Sequence, residues 1–406
     1  MCISLLISGC STTAESVPAL EIPSPTPFQP GQEDVSDSLY AGEAPTPLSL
    51  PTVTLPDAAS TESVLPTEPQ PTVPVTPTIA VPVVLNPLTG LPAPDPNLLY
   101  RHPMAIKITN YPRYTRPQSG LSLADQVFEY YIEGGLTRFT AVFYGNNSEW
   151  VGPVRSGRFF DEHVARMYQA FLIFKFADKR VLDYLQTTDI ADYLVVPTIG
   201  SCPPYHLMES RNIEVYNNNY FNTILWGDCV VKNSLPNDKP NLRMGPFSYD
   251  IPSVPAVEGY KVFTYFSDYS YNYWDYSPEI GQYLRYQEVD DIHDGREETY
   301  ALMTDNVNTL PVQASNVVVL FAYHEFENPF QEDDEVYQID LTGSGEAYVF
   351  RDGVAITAKW VRMNRDQPLM LTTPAGIPIN LRPGVTFYEV IGSNSFASQG
   401  DGEWFF

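Results

Sequence analysis

Ser122-Leu123-Ala124-Asp125-Gln126-Val127-Phe128-Glu129-Tyr130-Tyr131-Ile132-Glu133-Gly134-Gly135 is the stretch whose conformation sets the character of the first folded half. Ser122 with Asp125 three residues on resembles a helix start. Leu123, Ala124, Val127, Phe128 and Tyr131 recur at helical spacing until Gly134-Gly135 stops the run. The spacing predicts a helix. On it Asp125, Glu129 and Glu133 fall at i, i+4 and i+8, which leaves two readings open: a solvated face opposite Leu123, Val127 and Tyr131, or a carboxylate row lining a cleft.

Around this segment the pattern alternates. Met104 to Asn110 and Leu136 to Tyr144 read as strands, Phe159 to Ala170 as helix, Phe171 to Phe176 as strand and Lys179 to Gln186 as helix. Residues 86–250 are therefore expected to form a mixed α/β domain. From residue 259 short β-rich runs take over: Tyr260 to Phe266, Gly281 to Tyr286, Asn316 to Tyr323, Val336 to Leu341, Glu346 to Phe350, Thr357 to Arg362 and Val385 to Ile391. They predict a β-rich domain over 259–406, sandwich-like or barrel-like. The class is α+β. The acidic stretch Glu325 to Glu335 reads as an exposed loop.

The N-terminus gives an address. Ile7-Ser8-Gly9-Cys10 supplies the apolar residue, two small residues and acylatable cysteine of a lipoprotein signal. Residues 1–9 are thus a signal segment and Cys10 the lipidated start of the mature chain. No Lys or Arg precedes Arg101, so the basic n-region is expected further upstream than Met1. Residues 11–84 hold 15 prolines and nine acidic residues without a basic one, and cannot bury a core. Residues 10–85 are expected to be a disordered, extended tether. No second apolar run reaches the ~18 residues of a membrane span, so contact with the membrane runs through lipid alone. A net charge of −26 argues against nucleic acid as a partner.

With Cys2 in the signal and Cys10 lipidated, Cys202 and Cys229 remain as an even pair, either a disulfide or two buried thiols. The five histidines show no metal-ligand spacing, and no nucleophile elbow, P-loop, dinucleotide fingerprint or zinc-protease motif occurs. No cofactor or metal is expected.

Arg116, Arg138, Arg155 and Arg158 lie beside glycines, with Ser156 between the last two. Guanidinium forks there suit a carboxylate or phosphate; buried ion pairing with the carboxylates explains them equally. A second candidate surface is residues 260–286, of which 11 are aromatic. Tyr271, Tyr273 and Trp274 would serve either as a stacking platform for sugar rings or as ordinary strand packing.

Three ordered runs, Arg116-Pro117-Gln118-Ser119-Gly120-Leu121-Ser122-Leu123-Ala124-Asp125, Glu133-Gly134-Gly135-Leu136-Thr137-Arg138-Phe139 and Gly152-Pro153-Val154-Arg155-Ser156-Gly157-Arg158, together resemble the YerB-like lipoproteins. That family is built of two consecutive domains of unknown function. Marks of the second are Tyr283, Arg285, Asp305, Asn316-Val317-Val318-Val319, Leu341-Thr342-Gly343-Ser344-Gly345 and Leu381-Arg382-Pro383-Gly384. The resemblance spans about 86–392 and implies a lipid-anchored, extracytoplasmic envelope protein, with no reaction attached. Two family histidine segments are replaced here by Lys175-Phe176-Ala177-Asp178-Lys179 and Asn212-Ile213-Glu214-Val215-Tyr216, so any histidine chemistry is expected to be lost or altered.

The expected function is non-enzymatic binding of a cell-envelope component, an anionic glycan or peptidoglycan fragment. The alternatives are a wall hydrolase using a carboxylate pair from Asp125, Glu129 and Glu133, or a structural or protein-docking module.

Overall fold

Main-chain pairing organises the first half around three early strands, β1 (Met104–Thr109), β2 (Gln126–Tyr131) and β3 (Thr137–Phe143). The computed structural model describes residues 83–243, 245–292, 297–326, 334 and 337–406. The signal, the Cys10 lipidation site and nearly all of the tether lie outside the described residues, as does most of the acidic stretch after Phe326. Following β3 come α1 (Phe159–Met167), β4 (Phe171–Ile173), α2 (Lys179–Thr187), β5 (Leu194–Val195), β6 (Tyr205–Leu207), β7 (Asn219–Phe221) and α3 (Thr223–Lys232).

The second half is almost wholly strand. It runs β8 (Val257–Glu258), β9 (Lys261–Ser267), β10 (Ser270–Ser277), β11 (Gln282–Glu288), β12 (Tyr300–Leu302), β13 (Gln313–Ala314) and β14 (Asn316–Phe326). It continues with β15 (Tyr337–Asp340), β16 (Gly343–Arg351), β17 (Val354–Arg362), β18 (Met370–Thr372), β19 (Thr386–Gly392), β20 (Ser398–Gly400) and β21 (Glu403–Phe405).

These strands do not close on themselves. β14, β16, β17, β18 and β19 join the first half in one sheet of order β18-β17-β16-β14-β19-β2-β3-β1-β4-β5, while β12, β11, β10, β9, β21 and β20 form a second sheet. The junction is β19 against β2, parallel, with Glu389 opposite Glu129. One face of the large sheet packs Phe128, Tyr130 and Leu172 against Phe160 and Val164 of α1 and Val181 and Leu185 of α2. The other packs Val127, Ile106 and Val317 against Val262 and Trp274 of the second sheet and Trp226 of α3. Burial on both sides explains why the start of β14 reads as a nearly unbroken apolar run, and it leaves β1 without a solvent-facing residue.

The helix expected from Ser122 is corrected. Leu121–Leu123 is one short 3-10 turn, and Gln126–Tyr131 is β2, buried in the middle of the sheet. Val127, Phe128, Tyr130 and Tyr131 are strand-favouring residues, and an offset of four places residues on one face of a strand as well as of a helix. The spacing could not separate the two.

Candidate anion site at the carboxyl edge of the sheet

Six strands of the large sheet, β14, β19, β2, β1, β4 and β5, point the same way, so their carboxyl ends share one edge. From β1 the chain first builds β2 and β3 to one side and then returns past β1 to lay β4 and β5 on the other. Such a reversal of strand order is the usual ligand position in open parallel sheets. Here Val154 to Gly157 occupies that position. Arg155 N donates to Lys107 O at 3.1 Å and Lys175 N to Arg155 O at 2.9 Å, wedging this segment between β1 and the continuation of β4. Gly152 starts the wedge at φ 148°; a Cβ there would lie 2.7 Å from Val154 N.

Arg155 and Lys175 are thereby neighbours. Arg155 Nη1 donates to Asn217 Oδ1 at 2.5 Å and Lys175 Nζ reaches Val215 O at 3.5 Å, but neither has a carboxylate partner among the described residues. Burial and the Arg158 charge lower the affinity of Arg155 for its proton, while burial and Arg155 bring the Lys175 ammonium down to about 8. The Tyr216 ring lies 5.8 Å from the Arg155 guanidinium. The two segments that replace the family's histidines thus meet at this pair.

Beneath lies a different kind of charge. Lys107, fully buried, donates to the Tyr130 hydroxyl and lies 3.2 Å from Asp161 Oδ1, which also accepts from Tyr130 at 2.6 Å and Thr140 at 2.6 Å. Burial, opposed by Asp161, brings Lys107 down to about 7. Nothing on the alternating strand marked Lys107 beyond its being the one charge in Met104–Thr109. Arg158 is spent on Glu133, through Nε at 2.8 Å and Nη2, and Arg138 Nη2 is 3.7 Å from the same carboxylate. Burial raises the Glu133 pKa, but the two arginines outweigh it and the net shift is downward. Arg138 also donates to Ser156 O at 2.9 Å.

The remaining expected site residues are placed elsewhere. Asp125 is buried and accepts from Asn86 Nδ2 at 2.7 Å, Tyr144 N at 2.5 Å and Gly145 N at 2.9 Å, clamping the entry segment onto the end of β3; burial lifts it to about 6. Glu129 pairs with Arg285 between the two sheets. Arg116 binds Glu288 at 2.6 Å. At ~3.3 Å per residue along a strand, Asp125 and Glu129 stand ~13 Å apart, and the three carboxylates belong to three separate networks. Among the described residues no group of three or more His, Cys, Asp or Glu is arranged to hold a metal.

Tyr271 and Trp274 are buried. Tyr273 belongs to an in-register row, Phe405, Phe263, Tyr273 and Tyr286. Tyr273 stacks on Tyr286 at 4.6 Å and Phe263 on Phe405 at 4.7 Å. These rings spend their faces on one another. Cys202 and Cys229 form a disulfide with Cα atoms 5.5 Å apart.

Residues 88–224 match the N-terminal domain of "Protein of unknown function (DUF3048)" and residues 262–388 match its C-terminal domain. The chain belongs to this family. YerB of Bacillus subtilis (strain 168), whose name calls it a candidate lipoprotein, is 26% identical over 334 residues, covering 78% of this chain and 89% of that protein. The crystal structure of YerB protein from Bacillus subtilis superposes with a TM-score of 0.62 at 22% identity, over 76% of this chain and 96% of that one, and so shares its fold.

The two DUF3048 segments are bound to each other through charges that sequence alone left unpaired. Arg285 of the second meets Glu129 of the first. Asp305 accepts from Gly120 N at 2.9 Å, Ser122 N at 2.8 Å and Ser122 Oγ at 2.9 Å. The parallel insertion of β19 beside β2 completes the joint.

Proposed function

We propose that this DUF3048 protein is a lipid-anchored, extracytoplasmic binding protein, held at Cys10 and carried on the Pro-rich tether, that grips a carboxylate or phosphate of an anionic envelope glycan or peptidoglycan fragment. The binding is non-enzymatic. The observation that carries the reading is the Arg155–Lys175 pair: one partly buried and one buried cation without a carboxylate partner among the described residues, at the strand reversal of a protein with net charge −26. Holding like charges together without a counterion is costly, and an arriving anion relieves that cost. The lipoprotein signature supports the address, and the similarity to YerB accords with it.

The hydrolase alternative needs two carboxyl groups ~5 Å or ~6.5–9.5 Å apart in an open cleft, and Asp125, Glu129 and Glu133 are instead held in three separate networks. The full chain, incubated with isolated cell wall and centrifuged, is expected in the pellet with no new soluble fragments. A protein that stays in the supernatant contradicts wall binding, and released soluble sugar contradicts the non-enzymatic reading.

A further inference from the structure

The same edge carries a second feature, three strands along from the cationic pair. Where β14, β19 and β2 end side by side, a cavity of about 190 Å³ opens between them and the second sheet. Its walls include Tyr131, Tyr265 and Phe326, with His324, Asn394 and Ser395 as the polar members. Both family segments contribute, so the cavity exists only when the two are joined.

Its size and chemistry restrict the occupant. The volume falls below the ~300–1,000 Å³ of sites that enclose a drug-sized ligand, yet exceeds the ~150 Å³ that accommodates a benzene ring; one substituted six-membered ring fits. Among the described residues the walls carry no Lys, Arg, Asp or Glu, so none of them supplies an ionic anchor. Polarity is supplied instead by an amide, a hydroxyl and an imidazole. His324 Nδ1 lies 3.0 Å from Ala322 O, which makes Nδ1 the donor and leaves Nε2 as an acceptor. That nitrogen has no partner among the described residues and is shielded from bulk water. Burial holds the ring neutral. A hydroxyl-bearing ring offers what this site lacks: donors for a nitrogen acceptor, further groups for Asn394 and Ser395, and an apolar face for the aromatic walls.

We infer that this cavity is a subsite for a neutral sugar ring of the same envelope glycan whose anionic group lies at Arg155 and Lys175. The ligand class rests on the function proposed above. From β2 to β4 is three strand intervals, ~14 Å, so the two positions take different sugars of one chain. A single sugar cannot bridge them.

Two probes separate the claims: N-acetylglucosamine, neutral and one ring long, and a tetrasaccharide containing muramic acid. Isothermal titration of the full chain is expected to show weak binding of N-acetylglucosamine. Ser395→Trp, a change at the rim, should weaken it about tenfold by filling the cavity, and His324→Phe about fivefold, the worth of roughly one hydrogen bond. Arg155→Ala should leave this binding unchanged while weakening the tetrasaccharide. No binding of N-acetylglucosamine, binding indifferent to both cavity variants, or a preference for p-cresol over the sugar overturns the subsite. If the tetrasaccharide alone binds, and depends on Arg155, the subsite fails and the anion site stands. If N-acetylglucosamine binds with cavity dependence while Arg155→Ala leaves the tetrasaccharide untouched, the subsite stands and the anion site fails.

Discussion

Glu389 and Glu129 stand opposite each other on neighbouring parallel strands, both buried, with Arg285 between them. Arg285 Nη1 and Trp274 Nε1 each donate to Glu389 Oε1 at 2.8 Å. Burial first, and then the Glu129 charge, push Glu389 up to about 8 against the pull of Arg285, so it keeps its proton near neutrality. One arginine thus serves two carboxyl groups, one from each half of the fold. Replacing it by methionine strands that pair without its cation, at a cost of about 3–5 kcal/mol; equilibrium urea unfolding of Arg285→Met measures it, and an unchanged midpoint would show that the joint is not ionic.

The same group gives a pH dependence with a definite sign. Glu389 and Glu288 are raised by burial, to about 8 and about 7, so between pH 5 and 7 the folded state holds protons that the unfolded chain releases. Their stabilisation is fully present below the unfolded carboxyl range and is lost as pH rises through the folded values. Asp125, raised to about 6, acts in the same direction. Stability should therefore fall from pH 5 to 7. Glu389→Gln should flatten the slope by up to about 1.4 kcal/mol per pH unit, as read from denaturation series at several pH values.

Arg155 and Arg158 are expected to behave oppositely. Arg158→Ala leaves Glu133 half-buried and poorly paired and should cost roughly 3–5 kcal/mol. Arg155→Ala removes an uncompensated cation, so its melting temperature should hold or rise. Differential scanning calorimetry decides: equal losses for both would mean that Arg155 is a structural ion like its neighbour.

The Cys202–Cys229 bond closes a loop over a separation of 27 residues, for which chain entropy gives about 3–4 kcal/mol. Reduction, or Cys229→Ser, should lower the denaturation midpoint accordingly. Unfolding that is indifferent to reductant would mean that the bond does not form in the purified protein.

Cys10→Ser should release the protein from membranes in a salt-washed fractionation, since stable anchoring takes two acyl chains. Retention in the membrane pellet would remove the lipid anchor from the account.

Local pattern carried much of this far. Met104 to Thr109 was legible as strand and Phe159 to Met167 as helix, although all six residues of β1 are buried and its one charge, Lys107, faces no solvent. Ser122 to Glu133 misled because offsets of four satisfy both a helix and a strand; the aromatic and β-branched content of Val127 to Tyr131 was the better signal. That β19 inserts beside β2 could not be read, since 250-odd residues separate Gln126 from Thr386 and a parallel pair leaves no local turn to betray it. For the same reason Glu129 was legible only as a solvated or cleft-lining carboxylate: its partner, Arg285, lies in the other half. Lys175 was visible only as a substitution in a family segment, and its pairing with Arg155 depends on the wedge at Val154.

The central claim is that Arg155 and Lys175 grip an anion. Its most direct test is the affinity of the full chain for isolated cell wall at pH 6.5 and pH 9, measured for the wild type and for Arg155→Ala with Lys175→Ala. Lys175, brought down to about 8, is charged at the first pH and largely neutral at the second. The account predicts wild-type binding that weakens as pH rises through 8, and a double variant that folds normally yet binds at least about tenfold less at pH 6.5, one charged hydrogen bond's worth or more. Wild-type and variant curves that coincide at both pH values would contradict it.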